Sequence, residues 1–103
     1  MPQYIISYLG GDHPSTPEEG KQHFAKYQQW IAGLGDAAVK PMVPLKSAHT
    51  VSPNGSITEG SSIGLSGQTV IQADSIEAAL TMVKTCPFLD INGTLEVAEV
   101  VEM

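Results

Sequence analysis

The sequence predicts one α+β domain in which two helices cover one face of an antiparallel sheet. Two dense helix-start signals, Thr16-Pro17-Glu18-Glu19 and Asp74-Ser75-Ile76-Glu77, are each preceded by a segment rich in β-branched and aromatic residues, and a further strand-like segment closes the chain. The order strand, helix, strand or hairpin, strand, helix, strand is that of a split β-α-β, ferredoxin-like arrangement.

Gln3 to Leu9 forms the first strand, and Gly10-Gly11-Asp12-His13-Pro14 is a turn-rich loop. A helix follows from Pro17 to about Leu34, because Thr16 can cap it, Pro17 suits its first position and Glu19 completes a capping box. Phe24, Tyr27, Trp30, Ile31 and Leu34 recur at helical spacing as one apolar stripe, and Gly35 supplies a left-handed cap. Between Ala37 and Leu45, Pro41 and Pro44 forbid a regular central strand, so an interrupted or edge strand is expected.

Ala48 to Val51 and Ser56 to Thr58 flank Asn54-Gly55, a pair suited to the mirror-image turn of a hairpin. Glu59 to Gly67 is rich in glycine and serine and predicts a flexible loop. Gln68 to Ala73 is a strand; Asp74 then caps a helix presenting Ile76, Ala79, Leu80 and Val83 and ending near Pro87. In the last strand, Thr94 to Val101, Leu95, Val97 and Val101 alternate with Glu96, Ala98 and Val100. No repeat or linker divides residues 1–103, which make a single domain.

Bulk properties narrow the function classes. The chain has 42% hydrophobic and 16% charged residues, an ordinary globular balance. Five lysines face eleven carboxylates and arginine is absent, which argues against nucleic acid and against an anionic membrane surface. No apolar run approaches a membrane span, and Met1-Pro2-Gln3-Tyr4 lacks the features of a signal peptide, so a cytoplasmic location is expected. The single cysteine, Cys86, excludes an internal disulfide.

In the first strand, Tyr4, Ile6 and Tyr8 point one way and Ile5, Ser7 and Leu9 the other, so neither face has a solvated character. Helices shield one face only. An apolar patch on the other predicts a homodimer joined sheet to sheet.

The opening Pro2-Gln3-Tyr4-Ile5-Ile6-Ser7-Tyr8, the loop Gly10-Gly11-Asp12, the aromatic helix around Trp30 ending in Leu34-Gly35, the pair Pro44-Leu45 and the terminal Gly93-Thr94-Leu95-Glu96-Val97 together resemble YCII-related (DGPF-type) proteins over essentially the whole chain. The resemblance implies a dimeric α/β barrel, in which ferredoxin-like subunits pair through their sheets and leave a cleft between sheet and helices. Related branches include cofactor-free monooxygenases and muconolactone isomerases, and some family members use a His/Asp pair. The chain departs from the family in two places. Glu59-Gly60-Ser61-Ser62 stands where Asp-Gly-Pro-Phe would fall, and Cys86-Pro87-Phe88 stands where many relatives have Asp-Pro and an aromatic.

His23 is the leading catalytic candidate. It sits at the edge of the first helix's apolar stripe, facing the seam with the sheet, and it occupies the position of the family's helix histidine. An imidazole there can serve as general acid or base; the competing reading is a half-buried histidine bonded to backbone. Asp12 is its candidate partner, whereas Asp36 lies roughly 20 Å along the helix. Asp12 also suits a plain turn role. Tyr8, Tyr27, Trp30 and His49 are candidate ligand-binding residues, with packing in the core as the alternative for the aromatics.

His13, His23 and His49 lack the spacing of a metal site, so neither metal nor other cofactor is expected. Cys86, at the negative end of the second helix, reads as a structural thiol. Gly60 to Gly67 lacks a Walker lysine and reads as a mobile flap.

Two functions follow. One is a small-molecule enzyme using His23 in a cleft; the other is a non-catalytic binding or accessory dimerisation module using the same cleft. The absence of arginine and the cysteine at position 86 favour the second.

Overall fold

The computed structural model describes residues 1–12 and 15–101; His13, one of the three histidines weighed above, lies outside them. The elements run β1 (Gln3–Gly10), α1 (Pro17–Leu34), β2 (Ala38–Pro44), β3 (His49–Val51), β4 (Ile57–Glu59), β5 (Leu65–Gln72), α2 (Ile76–Val83) and β6 (Gly93–Glu99), with short 3-10 turns at Gly35–Ala37 and Pro87–Ile91. Strand order is β2-β5-β1-β6 with every neighbour antiparallel, and β3-β4 forms a separate two-stranded ribbon. This is the ferredoxin-like split β-α-β fold with both helices on one face, as its element order predicts. Among the described residues, no helix is long and apolar enough to cross a membrane.

Local chemistry explains the helix ends. Thr16 accepts from the Glu19 amide at 3.2 Å, while the Glu19 carboxylate reaches the Ser15 amide at 2.9 Å, so the box closes one residue further back than its usual form. In α2 the cap is Ser75, which accepts from the Ala78 amide at 3.2 Å, and not Asp74. The shorter hydroxyl sits one residue closer to the first turn and takes the orphan N–H.

Several other boundaries differ from the sequence reading. The hairpin uses no mirror-image turn: Pro53 holds the first central position, the Gly55 amide donates to the Ser52 carbonyl at 2.8 Å, and Gly55, not Asn54, takes positive φ. Proline's fixed negative φ imposes this ordinary turn with a left-handed glycine after it. Strand β5 starts at Leu65, three residues before the expected Gln68. The stretch read as a flap is pinned there by Ser61, whose hydroxyl accepts from the Leu65 amide at 3.0 Å, and by the Gly10 amide donating to Gly64 at 2.8 Å. Strand β6 ends at Glu99, leaving Val101 77% exposed instead of facing the core.

The helix-facing side of the sheet buries Tyr4, Ile6, Tyr8, Thr69 and Ile71, which meet Tyr27, Ala79, Val83, Cys86 and Phe88 in one core. The opposite side is more mixed than expected. An apolar row, Val70–Ile5–Ala98, is followed by a polar one, Gln68–Ser7–Glu96, and then by the Leu65–Leu9 pair. Helix α2 turns Ala79 and Val83 inward but leaves Leu80 49% exposed, so the predicted four-residue face is only half used.

Phe88 locks the start of β6 to the end of β1. Its ring edge meets Tyr8 at 5.1 Å, and it fills the space that side chains at Gly11 and Gly93 would occupy. A Cβ at Gly93 would press into the Phe88 ring and lie 2.7 Å from its carbonyl oxygen. Gly93→Ala is therefore expected to destabilise the domain by about 1–3 kcal/mol, the usual cost of overpacking, as read by urea denaturation. An unchanged midpoint would show that the Phe88 slot yields freely.

Candidate functional site

Two prolines open the cleft. In β2, Pro41 and Pro44 supply no amide hydrogen, and the pairing with β5 slips between Ala38 and Lys40 and again between Lys40 and Val43. The edge strand cannot lie flat on its neighbour. Pro41, Met42 and Pro44 form one wall of a cavity of about 870 Å³ whose other wall is α1. That volume suits a drug-sized molecule.

Helix α1 lines this cavity with residues at helical spacing: Gly20, His23, Phe24, Tyr27 and Ile31. Phe24 is 59% exposed because it faces the cleft instead of the packed core. Tyr8, Gly10, Gly11 and Asp12 approach from the end of β1, and Phe88, Asp90 and Ile91 from the turn before β6. The positive φ of Gly10 and Gly11, +70° and +89°, turns the chain sharply enough to bring Asp12 to the rim.

The floor is a closed ring of three hydroxyls. Tyr8 and Tyr27 lie 2.8 Å apart, Tyr8 and Thr69 2.9 Å, and Tyr27 and Thr69 3.0 Å. Each hydroxyl has one proton and can accept as well, so three protons satisfy three bonds. Burial pushes the phenol of Tyr8 well above its ordinary value, and that of Tyr27 in the same direction. Both tyrosines remain protonated hydrogen-bonding groups, not bases. Burial likewise pushes the Cys86 thiol up, which agrees with the expected inert, structural role.

Of the candidates named from sequence, the cleft brings together Tyr8, Asp12, His23 and Tyr27. His23 is half-buried, and Asp12 is held at the rim by Asn92, whose side-chain amide donates to its carboxylate at 2.6 Å, and by a 2.7 Å bond from its own amide to Ile91. Trp30 and His49 are not among the lining residues. The Trp30 indole points to the end of α2, donating to the Met82 carbonyl at 3.2 Å and the Thr85 hydroxyl at 3.0 Å, so it clamps helix to helix. Trp30 lies about 60° around the helix from Tyr27, on the side that meets α2. His49 sits on the separate ribbon, its ring nitrogen bonded to the Ser47 carbonyl at 2.9 Å.

Thr69 was missed by the sequence reading. Its signal is its phase: in β5 it shares a face with the buried Gly67 and Ile71, so its hydroxyl had to find a buried partner. No lysine lines the cavity, while Asp12, Glu19 and Asp90 do. Among the described residues, no three histidine, cysteine or acidic side chains gather as a metal site requires.

Compared with known proteins, the chain matches no protein-family model and no curated protein sequence. Its fold is similar to the solved structure of 5-chloro-2-hydroxyhydroquinone dehydrochlorinase from Burkholderia phenoliruptrix AC1100, obtained in complex with 2,5-dihydroxybenzoquinone. The two share 16% identity with a TM-score of 0.59, over 98% of this chain and 95% of the other. At this identity the likeness establishes a common fold and neither a family nor an activity.

The ring of hydroxyls makes a testable link between pH and stability. Because the folded state holds the Tyr8 and Tyr27 protons more tightly than the unfolded chain does, their contribution is present below the unfolded value and is lost as pH rises. Urea midpoints should stay level below about pH 9 and fall above about pH 10. Tyr8→Phe should cost about 1 kcal/mol at neutral pH and flatten the alkaline fall. An alkaline fall as steep in Tyr8→Phe as in the wild type would remove Tyr8 from this account.

Proposed function

We propose that the chain is a YCII-like, homodimeric protein that takes a small, largely apolar and uncharged or cationic molecule into the cleft beneath α1. The observation that carries this reading is the 870 Å³ cavity with His23 and Asp12 on its lining. Its charge argues the ligand class: three carboxylates and no lysine border it, and the chain of net charge −6 has no arginine to pair with an anion. Among the described lining residues, His23 alone could relieve the repulsion that a carboxylate or phosphate ligand would meet.

In the enzymatic form of the reading, His23 accepts a proton from a bound hydroxyl or acidic carbon and returns it after reaction, and Asp12 steadies the charged imidazole. Tyr8 and Tyr27 hold the floor rigid without exchanging protons. The neighbouring dehydrochlorinase, solved with a dihydroxybenzoquinone, makes hydroxylated benzenoid rings the first compounds to try.

The accessory reading, binding without turnover, has one observation in its favour. Several polar groups at the site are already engaged: the hydroxyl ring is closed and Asp12 is bonded to Asn92. Such groups shape a pocket without being poised for chemistry.

Neutral hydroquinones and quinones, each paired with a carboxylated analogue, should be screened by thermal shift. A neutral ring present at about 100 times its Kd should add roughly 2.7 kcal/mol of apparent stability, and its carboxylated partner clearly less. If a compound is turned over, His23→Ala should lower kcat by about 10²–10⁴-fold with the melting temperature kept. Binding with no turnover and no effect of His23→Ala would favour the accessory reading. Equal shifts from both members of every pair would overturn the charge argument.

A further inference from the structure

Among the described residues, the ribbon β3-β4 makes no hydrogen bond to the rest of the domain beyond that of the His49 ring to the neighbouring Ser47 carbonyl. Its other bonds close on the ribbon itself, such as Thr50 to the Gly60 carbonyl at 2.9 Å and Gly60 to Ala48 at 2.8 Å. A two-stranded ribbon by itself is marginally stable in water. Something has to cover it.

Its composition suits burial. Ala48 to Thr58 contains no aspartate, glutamate, lysine or arginine, in a chain where such residues make up 16%. Val51 and Ile57 stand directly opposite each other and are 65% and 71% exposed. A cross-strand apolar pair at the charge-free tip of a ribbon is a contact without its counterpart.

The dimensions say how much surface is left over. Accessible area is 7089 Å², against about 5,600 Å² for a compact monomer of 10.9 kDa. The radius of gyration is 14.8 Å, against about 12.8 Å for this length. The chain measures 43 × 41 × 18 Å, so it is two layers thick and broad in plane, whereas four strands of seven or eight residues span only about 20 by 26 Å. The ribbon adds breadth without adding a core. An excess of roughly 1,500 Å² exceeds the about 800 Å² that each partner buries in a stable complex.

We propose that the β3-β4 ribbon is an intersubunit arm, which in the dimer lies against a second copy of the chain and anchors there through Val51 and Ile57. A second copy fits because the same chain also leaves the apolar rows of its sheet uncovered. Two-fold pairing lets each copy cover the other's excess with identical contacts. Charge agrees at the tip: Val51 to Thr58 carry no charge, so two chains of net charge −6 can meet there without opposing carboxylates, Glu59 lying at the far end of β4.

The proposal builds on the dimer reading and is separable from it. Sedimentation equilibrium on the full chain gives the dimer dissociation constant, and Val51→Lys with Ile57→Lys should raise it on the order of 100-fold while circular dichroism keeps the same fold signal. These positions are solvent-exposed in the single chain, so the substitutions spare its core. A second variant, with residues 49–59 replaced by a short Gly/Ser linker, should weaken association as strongly. Wild-type association in both variants would overturn the arm while leaving a sheet-to-sheet dimer intact. A wild-type chain that is monomeric at 100 times the concentration used for screening would overturn both.

Discussion

The buried hydroxyl ring is the constraint on which the architecture turns. Tyr8, Tyr27 and Thr69 belong to β1, α1 and β5, so a single closed set of bonds fixes the first helix relative to the two central strands. Any shift of α1 along the sheet would leave a phenol or the threonine hydroxyl buried without a partner, at about 1–3 kcal/mol each. An all-apolar contact would tolerate sliding. A satisfied polar ring does not, and it thereby sets the gap between helix and sheet that becomes the cleft.

Around that fixed point, packing is tight on one flank and open on the other. Toward β6, Phe88 occupies the room left by Gly11 and Gly93, and Trp30 clamps α1 to the end of α2. Toward β2, the prolines bend the edge strand away, and Met42 fills part of the space above Gly67. The asymmetry explains why a helix with one apolar stripe divides its residues, with Trp30 and Leu34 packing into the body and Phe24 facing the cavity.

Much of this was legible in the residues because local chemistry and global fold agree. Thr16 and Gly35 mark the first helix to the residue, and the two prolines announce an irregular edge strand. Four of the six candidate site residues, Tyr8, Asp12, His23 and Tyr27, meet at the cavity. The failures have physical causes. Trp30 shares a stripe with Tyr27 but not a direction, and a stripe does not say which part packs and which part lines a hole. His49 lies on a ribbon whose placement depends on tertiary structure, and Thr69 carries a small hydroxyl whose partners come from 42 and 61 residues away. Register within the glycine-rich stretch before β5 was set by Ser61 bonds that composition does not reveal.

The prolines of β2 have a second consequence, for behaviour at high concentration. A free sheet margin offers a row of amides and carbonyls onto which another polypeptide can add as a further strand, the first step toward fibrils. Pro41 and Pro44 leave the edge strand β2 two amide donors short, and at the opposite margin β6 carries the carboxylates of Glu96 and Glu99. Both borders thus resist templated growth. The geometry that hollows out a pocket also keeps the nascent and folded chain from propagating edge to edge.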